Sequence, residues 1–215
     1  TVSDDGGRPT YSVRYDGKAF ILPSPLGLNT NIGDFRNNLS ISDAGKVEAV
    51  TDSYSLPNIK KSHVDYKANH RELTFSRDGK AIFDVIFEVS DNNVAFRYRI
   101  RPQGETLCCI VESEASGFTM PDGTTTFLCP QAGPMGGFAR TSPSYETSYT
   151  LDDTTGKNGW GQGYTFPCLF RNGDKGWMLI SETGIAGDYC GSHLAWNPAG
   201  YYDICLLYTS PSPRD

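Results

Sequence analysis

The sequence predicts an all-β protein of antiparallel sheets, and three observations support this class. Apolar and polar residues alternate over many short segments, which is the period-2 pattern of half-buried strands. Asp-Gly and Asn-Gly pairs separate several of these segments, as hairpin turns do. No stretch keeps helical periodicity through three turns. Many short strands joined by regular turns are typical of a β-sandwich or a barrel-like pair of sheets.

The first hairpin is predicted near the start of the chain. Residues 11–15 and 18–22 alternate as strands do, and Asp16-Gly17 lies between them. A type I′ turn needs positive φ at both central positions, which Asp-Gly supplies. Pro23-Ser24-Pro25 should end the second strand, because proline has no N–H to donate to a ladder.

A meander is expected in the middle of the chain. Residues 48–66 are mixed and indicate only short strands, whereas residues 71–77 and 80–89 form two clear strands around Asp78-Gly79. A third strand follows at 94–101. The residues predicted to point inward from the last two strands are Phe83, Val85, Phe87, Val89, Val94, Phe96, Tyr98 and Ile100. Arg97, Arg99 and Arg101 should share the opposite, polar or partner-covered face.

Further strands are predicted at residues 107–114, 148–151, 165–170 and 176–181, with a turn at 171–174 between the last two. Residues 121–164 are rich in Gly, Pro, Thr and Ser, so they indicate a long elaborated loop region, where binding functions are often found.

Length and charge limit the possible functions. A chain of 215 residues can form one all-β domain or two small ones. The net charge of −6 argues against a nucleic-acid surface. No apolar run approaches the ~20 residues that cross a bilayer, so no membrane span is expected. The chain opens on Thr1 and shows no signal peptide, which is consistent with a mature chain or a fragment.

The cysteines and histidines show no specific metal or redox spacing. The cysteines are expected to be mostly free, buried small hydrophobic residues, with one or two disulfides in an oxidising compartment as the alternative. Cys190-x-x-His193 is a zinc half-site that lacks a second pair. His63, His70 and His193 are expected to be structural or surface residues rather than catalytic ones.

Glu182 is the main candidate for a charged ligand. The apolar run Trp177–Ile180 predicts a buried strand that leads directly to Glu182, before Gly184 allows a turn. A carboxylate at the end of a buried strand is costly unless a cation meets it. One interpretation is a local Arg or Lys partner, and the other is a bound hard cation or substrate. Calcium needs several oxygen ligands, so the others would have to come from elsewhere.

Two other groups of residues have both a functional and a packing interpretation. Glu112 and Glu114 stand at i and i+2 of one strand, so they should share a face. Glycosidases need two carboxylates across a cleft, which favours a solvated or ion-paired role here. Aromatic residues of the Gly-rich region could stack on sugar rings or pack in the core and loops; they are Trp160, Tyr164, Tyr145 and Tyr149.

No G-x-S-x-G elbow, P-loop, dinucleotide fingerprint or H-E-x-x-H motif occurs. Instead, an ordered set of segments resembles the N-terminal domain of glycoside hydrolase family 97 over about residues 7–202. The segments that carry the resemblance are 11–18, 23–28, 69–73, 94–98, 145–149, Phe166-Pro167, 181–184 and Asp188-Tyr189.

The resemblance implies an antiparallel β-super-sandwich, similar to the galactose mutarotase-like fold, over residues 1–203. Members of this family are calcium-dependent α-glucosidases or α-galactosidases, mostly of Gram-negative bacteria, and periplasmic export is expected. A (β/α)₈ barrel that carries the catalytic acids follows this domain, and it would be its intramolecular partner. One calcium ligand of the family comes from the N-terminal domain and maps onto Glu182.

The resemblance also limits what this chain can do. The barrel residues are absent, so no catalytic residue is assigned, substrate-binding residues stay unknown, and the fragment alone should not hydrolyse glycosides. The α-linked oligosaccharide or galactoside would be the substrate of a longer parent protein. Residues 204–215 contain alternating prolines and look like a non-native tail. The alternatives are an independent carbohydrate-binding β-sandwich and a structural domain without a ligand.

Overall fold

A computed structural model describes residues 1–105, 108–131, 149–159, 162–184 and 190–206. Within these ranges the regular structure is antiparallel β-strand, apart from single 3-10 turns at Asp5–Gly7 and Gly173–Lys175. The all-β class predicted from the alternating pattern is confirmed. None of the helices in these ranges has the length and hydropathy to span a membrane.

The strands are numbered in chain order. They are β1 (Val2–Ser3), β2 (Thr10–Tyr15), β3 (Lys18–Pro25), β4 (Leu28–Thr30), β5 (Gly33–Phe35), β6 (Ser40–Ala44), β7 (Glu48–Ser55), β8 (His63–Arg77), β9 (Lys80–Val89), β10 (Val94–Ile100), β11 (Val111–Glu114), β12 (Gly117–Phe118), β13 (Thr124–Pro130), β14 (Asp153–Thr154), β15 (Tyr164–Asn172), β16 (Trp177–Ile180), β17 (Ser192–Asn197) and β18 (Tyr201–Leu206).

The chain divides into two compact units. The major unit contains Thr1–Val2, Thr10–Arg36 and Ile110–Asp215, and the inserted unit contains Ser3–Pro9 and Asn37–Cys109. Each unit has fully buried apolar side chains of its own, such as Tyr202 and Phe170 in the major unit and Phe75 and Phe83 in the inserted unit. The predicted boundary at residue 203 stays a prediction, and residues 207–215 lie outside the described ranges.

The inserted unit is one sheet with the order β10-β9-β8-β6, in which β7 also pairs with β8. Asp78 and Gly79 both have positive φ, at 50° and 76°, so the predicted hairpin turn between β8 and β9 is confirmed. Phe83 and Val85 are fully buried, as expected, whereas Val89 is 41% exposed and lies beyond the core. The inward face predicted for β9 therefore ends at Phe87.

The opposite face of β9 is also buried, which the alternation did not predict. Asp84 is 0% exposed and accepts hydrogen bonds from Thr74 Oγ1 at 2.8 Å, Arg99 Nε at 2.7 Å and Arg101 Nη2 at 3.0 Å. Burial alone would raise the pKa of this carboxyl, but the bonds from Thr74, Arg101 and Arg99 outweigh it and hold the pKa below its usual value. The arginine face predicted for β10 is thus partly a charge network around a buried acid.

Residues 48–66 form longer strands than predicted. β7 pairs with β8 from Glu48↔His70 to Ser55↔His63, and β8 begins at His63 rather than at residue 71. Most side chains of β7 are exposed on both faces. Because neither face is apolar, no period-2 hydrophobic pattern marks this hairpin in the sequence.

The major unit contains the order β12-β18-β17-β15-β13-β14, with β16 on the same edge of β15 as β17. β4 pairs with β11 and β5, and β2 pairs with β3. The core centres on Tyr202, whose ring meets those of Tyr164, Phe170 and Trp196 with centroids 5.1–6.3 Å apart. Edge-to-face packing of this kind adds to the stabilisation from burial.

The first predicted hairpin is confirmed, but its second strand is longer than predicted. Asp16 and Gly17 have φ of 48° and 71° between β2 and β3. Pro23 does not end β3, which continues to Pro25. A register shift separates the pairs Tyr11↔Ser24 and Val13↔Ile21, so Pro23 stands where no ladder bond is needed.

Several smaller predictions are corrected within the described ranges. The strand expected at 107–114 begins only at Val111, and residues 149–151 are not a strand. The strands at 165–170 and 176–181 are confirmed as β15 and β16. None of the six cysteines, which all lie in the described residues, forms a disulfide, but only Cys168 is buried, so the expectation of mostly buried thiols is wrong. Cys108 and Cys190 are exposed and lie outside the strands.

Candidate cation site at Glu182 and Glu114

Glu182 follows β16, which among the described strands pairs only with β15 and is not the predicted buried strand. β16 pairs with β15 from Cys168↔Ile180 to Arg171↔Trp177. Ile180 is buried, but Trp177 and Leu179 are 55% and 62% exposed. The prediction of a buried strand was wrong because an exposed apolar face and a buried one give the same sequence pattern. Glu182 itself is only partly exposed.

The carboxylate of Glu182 is held by the first residue of β17. The Ser192 backbone N–H donates to both carboxylate oxygens, at 3.2 Å to Oε1 and 3.1 Å to Oε2. The Ser192 hydroxyl donates to Oε2 at 2.6 Å. Among the described residues, no Lys, Arg or His forms an ion pair with Glu182, so the interpretation as a local salt bridge finds no support there.

Glu114 brings a second carboxyl group to this region. It is the last residue of β11, and its pKa is raised, first by burial and then by the negative charge of Glu182, while a hydrogen bond from Ser116 opposes the rise. The Ser116 carbonyl accepts a hydrogen bond from the Ile204 N–H at 3.2 Å, which connects the end of β11 to β18. Two acids from distant parts of the chain therefore share one electrostatic environment.

Glu112 does not share this role. It is exposed and accepts a hydrogen bond from Asn29 Nδ2 at 2.9 Å. A register shift between Val111 and Ser113 interrupts the regular pairing of β11 with β4 at Glu112. The solvated role predicted for the Glu112 and Glu114 pair thus holds for Glu112, whereas Glu114 is turned into the protein.

Next to Ser192, His193 is buried and contacts the residues just before β15. It is 6% exposed, and its Nε2 lies 3.1 Å from the Gln162 carbonyl oxygen. A ring nitrogen beside a carbonyl donates, so Nδ1 is left as a buried acceptor with no partner in the described part of the chain. Burial lowers the pKa of His193, against the bond to Gln162. The neutral ring adds no positive charge to this region.

The other sequence candidates lie elsewhere. Cys190 is exposed while His193 is buried, and no group of three or more potential metal-binding side chains gathers among the described residues. His63 and His70 contact carboxylates within the inserted unit. Tyr164 is buried at 5% exposure and is not a sugar platform, and Tyr149 stacks on Phe127. Trp160 and Tyr145 fall outside the described residues.

Changing Glu114 to Gln should stabilise the protein at neutral pH. A folded-state pKa above the unfolded value means that the folded protein binds the proton more tightly, so stability falls as pH rises through that interval. Removing the charge should raise the free energy of unfolding by about 1 kcal/mol at pH 7 and change it little at pH 4. About 1 kcal/mol is the typical cost of a buried polar group that is poorly compensated. Urea denaturation at both pH values in the presence of EDTA measures this.

The matched control is Glu112→Gln, which changes an exposed carboxylate of the same strand and should leave stability within about 0.5 kcal/mol. A Glu114→Gln protein that is less stable than the parent at pH 7 would show that the Glu114 charge is compensated.

Comparison with known proteins identifies the family of this chain. A family model described as "Glycosyl-hydrolase 97 N-terminal" matches residues 1–211. A β-arabinopyranosidase crystal structure matches with a TM-score of 0.89 and 43% identity, covering 98% of this chain and 34% of that one. A family 97 enzyme from Pseudoalteromonas sp. strain K8, solved with panose, matches with a TM-score of 0.78 and 20% identity, over 96% of this chain and 30% of that one.

A curated relative is similar at the sequence level. A protein described as a probable retaining alpha-galactosidase of Streptomyces bingchenggensis (strain BCW-1) is 29% identical over 189 residues, which are 87% of this chain and 27% of that protein. The chain therefore spans only about a third or less of the relatives it matches. The predicted antiparallel super-sandwich class agrees with these structures.

Proposed function

The chain belongs to the N-terminal domains of glycosyl-hydrolase family 97, and we propose that it is the accessory domain of a calcium-dependent exo-α-glycosidase. In this role it forms part of the active-site wall and supplies Glu182 as one calcium ligand. The supporting observation is the oriented carboxylate of Glu182, held by Ser192 beside Glu114 without a basic partner in the described residues.

The residues present suit a hard cation better than a basic side chain. Calcium prefers carboxylate oxygens, and it neutralises like-charged carboxylates that otherwise repel each other. Ser192 occupies the carboxylate through its N–H and hydroxyl, which fixes the orientation of Glu182 while leaving oxygen lone pairs free. Glu182 and Glu114 cannot complete a coordination shell, and the described residues gather no further potential ligands there, so this proposal assigns the remaining ligands to the polypeptide of the longer enzyme.

The chemistry of the parent enzyme would be divided between its parts. When bound, calcium supplies Lewis-acid stabilisation of negative charge and orients an oxygen ligand of the substrate. Ser192 orients Glu182, and Glu114 adds negative potential that favours cation binding. No residue of this chain is assigned to proton transfer at the glycosidic bond, so the isolated domain should be inactive on glycosides.

The substrate class of the parent follows from the relatives. We take an α-glucoside or α-galactoside as the substrate, in line with the alpha-galactosidase relative and the panose complex. The β-arabinopyranosidase, at 43% identity, adds β-arabinopyranosides as a third class to assay. Periplasmic export, as expected from the family resemblance, remains part of this proposal.

The test joins residues 1–206 to the part of the β-arabinopyranosidase that follows its matching domain. In this chimera, Glu182→Gln should raise the calcium concentration for half-maximal binding, measured by isothermal titration calorimetry, by about tenfold or more, as lost oxygen ligands and their supporting groups typically do. Activity on the three glycoside classes should fall in parallel and recover only at high calcium.

The control for this test is Glu112→Gln, which removes an exposed carboxylate from the same unit. Equal calcium affinity in the Glu182→Gln and parent chimeras would reject the assigned role. Sugar binding by the isolated chain in calorimetry, with calcium having no effect, would instead support an independent carbohydrate-binding module.

A further inference from the structure

The sheet formed by β13, β15 and β16 is apolar on both faces. Its inner face belongs to the core: Leu128 and Ile180 are 6% and 8% exposed, and Cys168 and Phe170 are fully buried. An antiparallel sheet that is solvated on one side normally carries polar residues there. The face of these strands that points away from the core departs from that pattern.

The residues on this second face of the sheet lie in register across three strands. Phe127 of β13 pairs with Leu169 of β15, and Leu169 pairs with Leu179 of β16. Two residues along, Arg171 pairs with Trp177, so Trp177 stands on the same face as Leu179. One row of three apolar residues and a neighbouring tryptophan therefore form a continuous surface.

The segment 149–152 crosses this face and extends it. The Tyr149 ring stacks on Phe127, with centroids 5.2 Å apart and an interplanar angle of 28°. Asp152 pairs with Arg171 Nη1 at 3.2 Å, and it also accepts the Thr125 hydroxyl at 2.8 Å. Between these two anchors, Leu151 remains 68% exposed. We call the resulting surface the outer face; it consists of Phe127, Tyr149, Leu151, Leu169, Trp177 and Leu179.

The exposure of this surface is high for side chains of this size. Leu151, Leu179 and Trp177 are 68%, 62% and 55% exposed, and Tyr149 and Phe127 are 45% and 38% exposed. Scattered exposed apolar residues are ordinary, but a contiguous set marks an interaction surface. Arg171 lies beside these residues on the same side of the sheet, with its guanidinium carbon 5.6 Å from the Trp177 ring centroid and a carboxylate partner in Asp152.

We propose that the outer face is the docking surface for the polypeptide that follows this domain in full-length family members. The proposal deepens the proposed function by naming the partner surface, and it rests on that function only in treating the chain as one domain of a longer enzyme. The relatives contain roughly two to three times as much additional chain, since this domain covers 34% and 27% of them. That additional chain is an obligatory neighbour, present at a fixed ratio in every molecule.

The chemistry of the face favours a protein partner over a sugar. Sugar sites combine an open aromatic ring with several polar groups that bind hydroxyls. Here one side of the Tyr149 ring is occupied by Phe127, and the largest exposures belong to leucines, which offer no hydrogen bonds. Apolar residues with aromatic and arginine anchors are instead typical of the centre of a protein interface.

The position of β16 links this face to the candidate cation site. Leu179 and Glu182 are separated by two residues, and β16 is held on one side only by β15 among the described strands. A partner packed on Trp177 and Leu179 would therefore hold the strand from which Glu182 projects. Docking and placement of the ligand would be mechanically connected.

Hydrogen–deuterium exchange measured by mass spectrometry tests the proposal on the isolated chain and on the chimera described above. Peptides covering β16 and residues 149–152 should exchange about tenfold or more slowly in the chimera, because docking suppresses local opening of an edge strand. Leu179→Lys in the chimera should restore exchange of these peptides to the rate in the isolated chain. The control is Ile59→Lys in the inserted unit, where Ile59 is 48% exposed and lies outside the outer face.

Each outcome separates the proposal from its competitors. Equal exchange of β16 in the isolated chain and the chimera would overturn it. Protection of β16 in the isolated chain that grows with concentration, together with a dimer mass in light scattering, would assign the face to a second copy and also overturn it. If the chimera is insoluble, the relative's remaining polypeptide added in trans replaces it, with the same peptides as the readout.

Exchange is measured in EDTA, so bound calcium does not contribute and the result tests docking separately from the calcium proposal. Glu182→Gln should leave the protection of β16 unchanged in the chimera, since Glu182 is not part of the outer face. Loss of calcium binding with intact protection would support both proposals, and intact calcium binding with Glu182→Gln would reject only the ligand role.

Discussion

Replacing Asp84 by alanine should lower the free energy of unfolding by about 3–5 kcal/mol, the range found when one member of a buried charge cluster is removed. Asp84 is 0% exposed and accepts from Thr74, Arg99 and Arg101. Its removal leaves positive charge and a hydroxyl donor facing one another without an acceptor. Far-UV circular dichroism during urea denaturation measures the loss.

The two arginines should respond differently to this change. Arg99 keeps a second partner, because its Nη1 donates to Glu72 Oε1 at 3.1 Å. Arg101 has no other carboxylate partner among the described ion pairs. Adding Arg101→Met to Asp84→Ala should therefore recover part of the loss, since an uncompensated charge is replaced by an apolar side chain of similar length.

The control is Asp43→Ala, which removes an exposed carboxylate from β6 of the same unit and should change stability by less than about 0.5 kcal/mol. If Asp84→Ala also cost less than about 1 kcal/mol, the arginines would have found water or other acceptors, and the network would not stabilise the inserted unit.

Replacing Gly163 by alanine should have the second largest effect, about 3–4 kcal/mol or more, because the clash is with backbone rather than with a movable side chain. A Cβ at this position would lie 2.1 Å from the Leu194 carbonyl oxygen, and the φ of Gly163 is +129°. Gly163 directly precedes the pairs Tyr164↔Leu194 and Thr165↔His193, through which β15 holds β17. The added methyl group should push these strands apart.

Tryptophan fluorescence during urea denaturation measures this effect, since Trp196 lies on β17. The matched control is Gly173→Ala, which also has positive φ, at +51°, but no atom within 4 Å of the added Cβ. It should cost only the conformational penalty of about 1–2 kcal/mol. Equal losses in the two variants would mean that β15 and β17 tolerate the methyl group and that only backbone strain is measured.

Local chemistry explains which parts of the fold could be predicted. Asp16-Gly17 and Asp78-Gly79 identify their hairpins because positive φ is a property of the residues themselves. The β7–β8 hairpin was missed because its side chains are exposed on both faces, and only backbone pairing marks it. Pro23 was misjudged because a register shift cannot be seen without the partner strand.

The candidate site also combines a feature visible in the sequence with contacts that depend on strand pairing. Glu182 stands out in the sequence as a charge at the end of an apolar run, but its contact with Ser192 depends on the pairing of β17. Glu114 lies 68 residues earlier in the numbering and meets Glu182 only through the assembled sheets. Asp84 could not be recognised within an apolar strand, because its partners Arg99 and Arg101 come from β10 and the residue after it and meet the carboxylate only in the paired sheet.

The insertion of residues 37–109 also sets an order for synthesis. β4 pairs with β11, and Asn31 and Ile110 bond each other through Asn31 N–H to the Ile110 carbonyl and Ile110 N–H to Asn31 Oδ1. On the ribosome the whole inserted unit emerges before β11 is made. Because domains fold as they emerge, we expect the inserted unit to fold while the β4 edge that pairs with β11 is still unpaired. β11 then pairs with β4 and completes that sheet. Glu114, at the end of β11, is positioned by that late step.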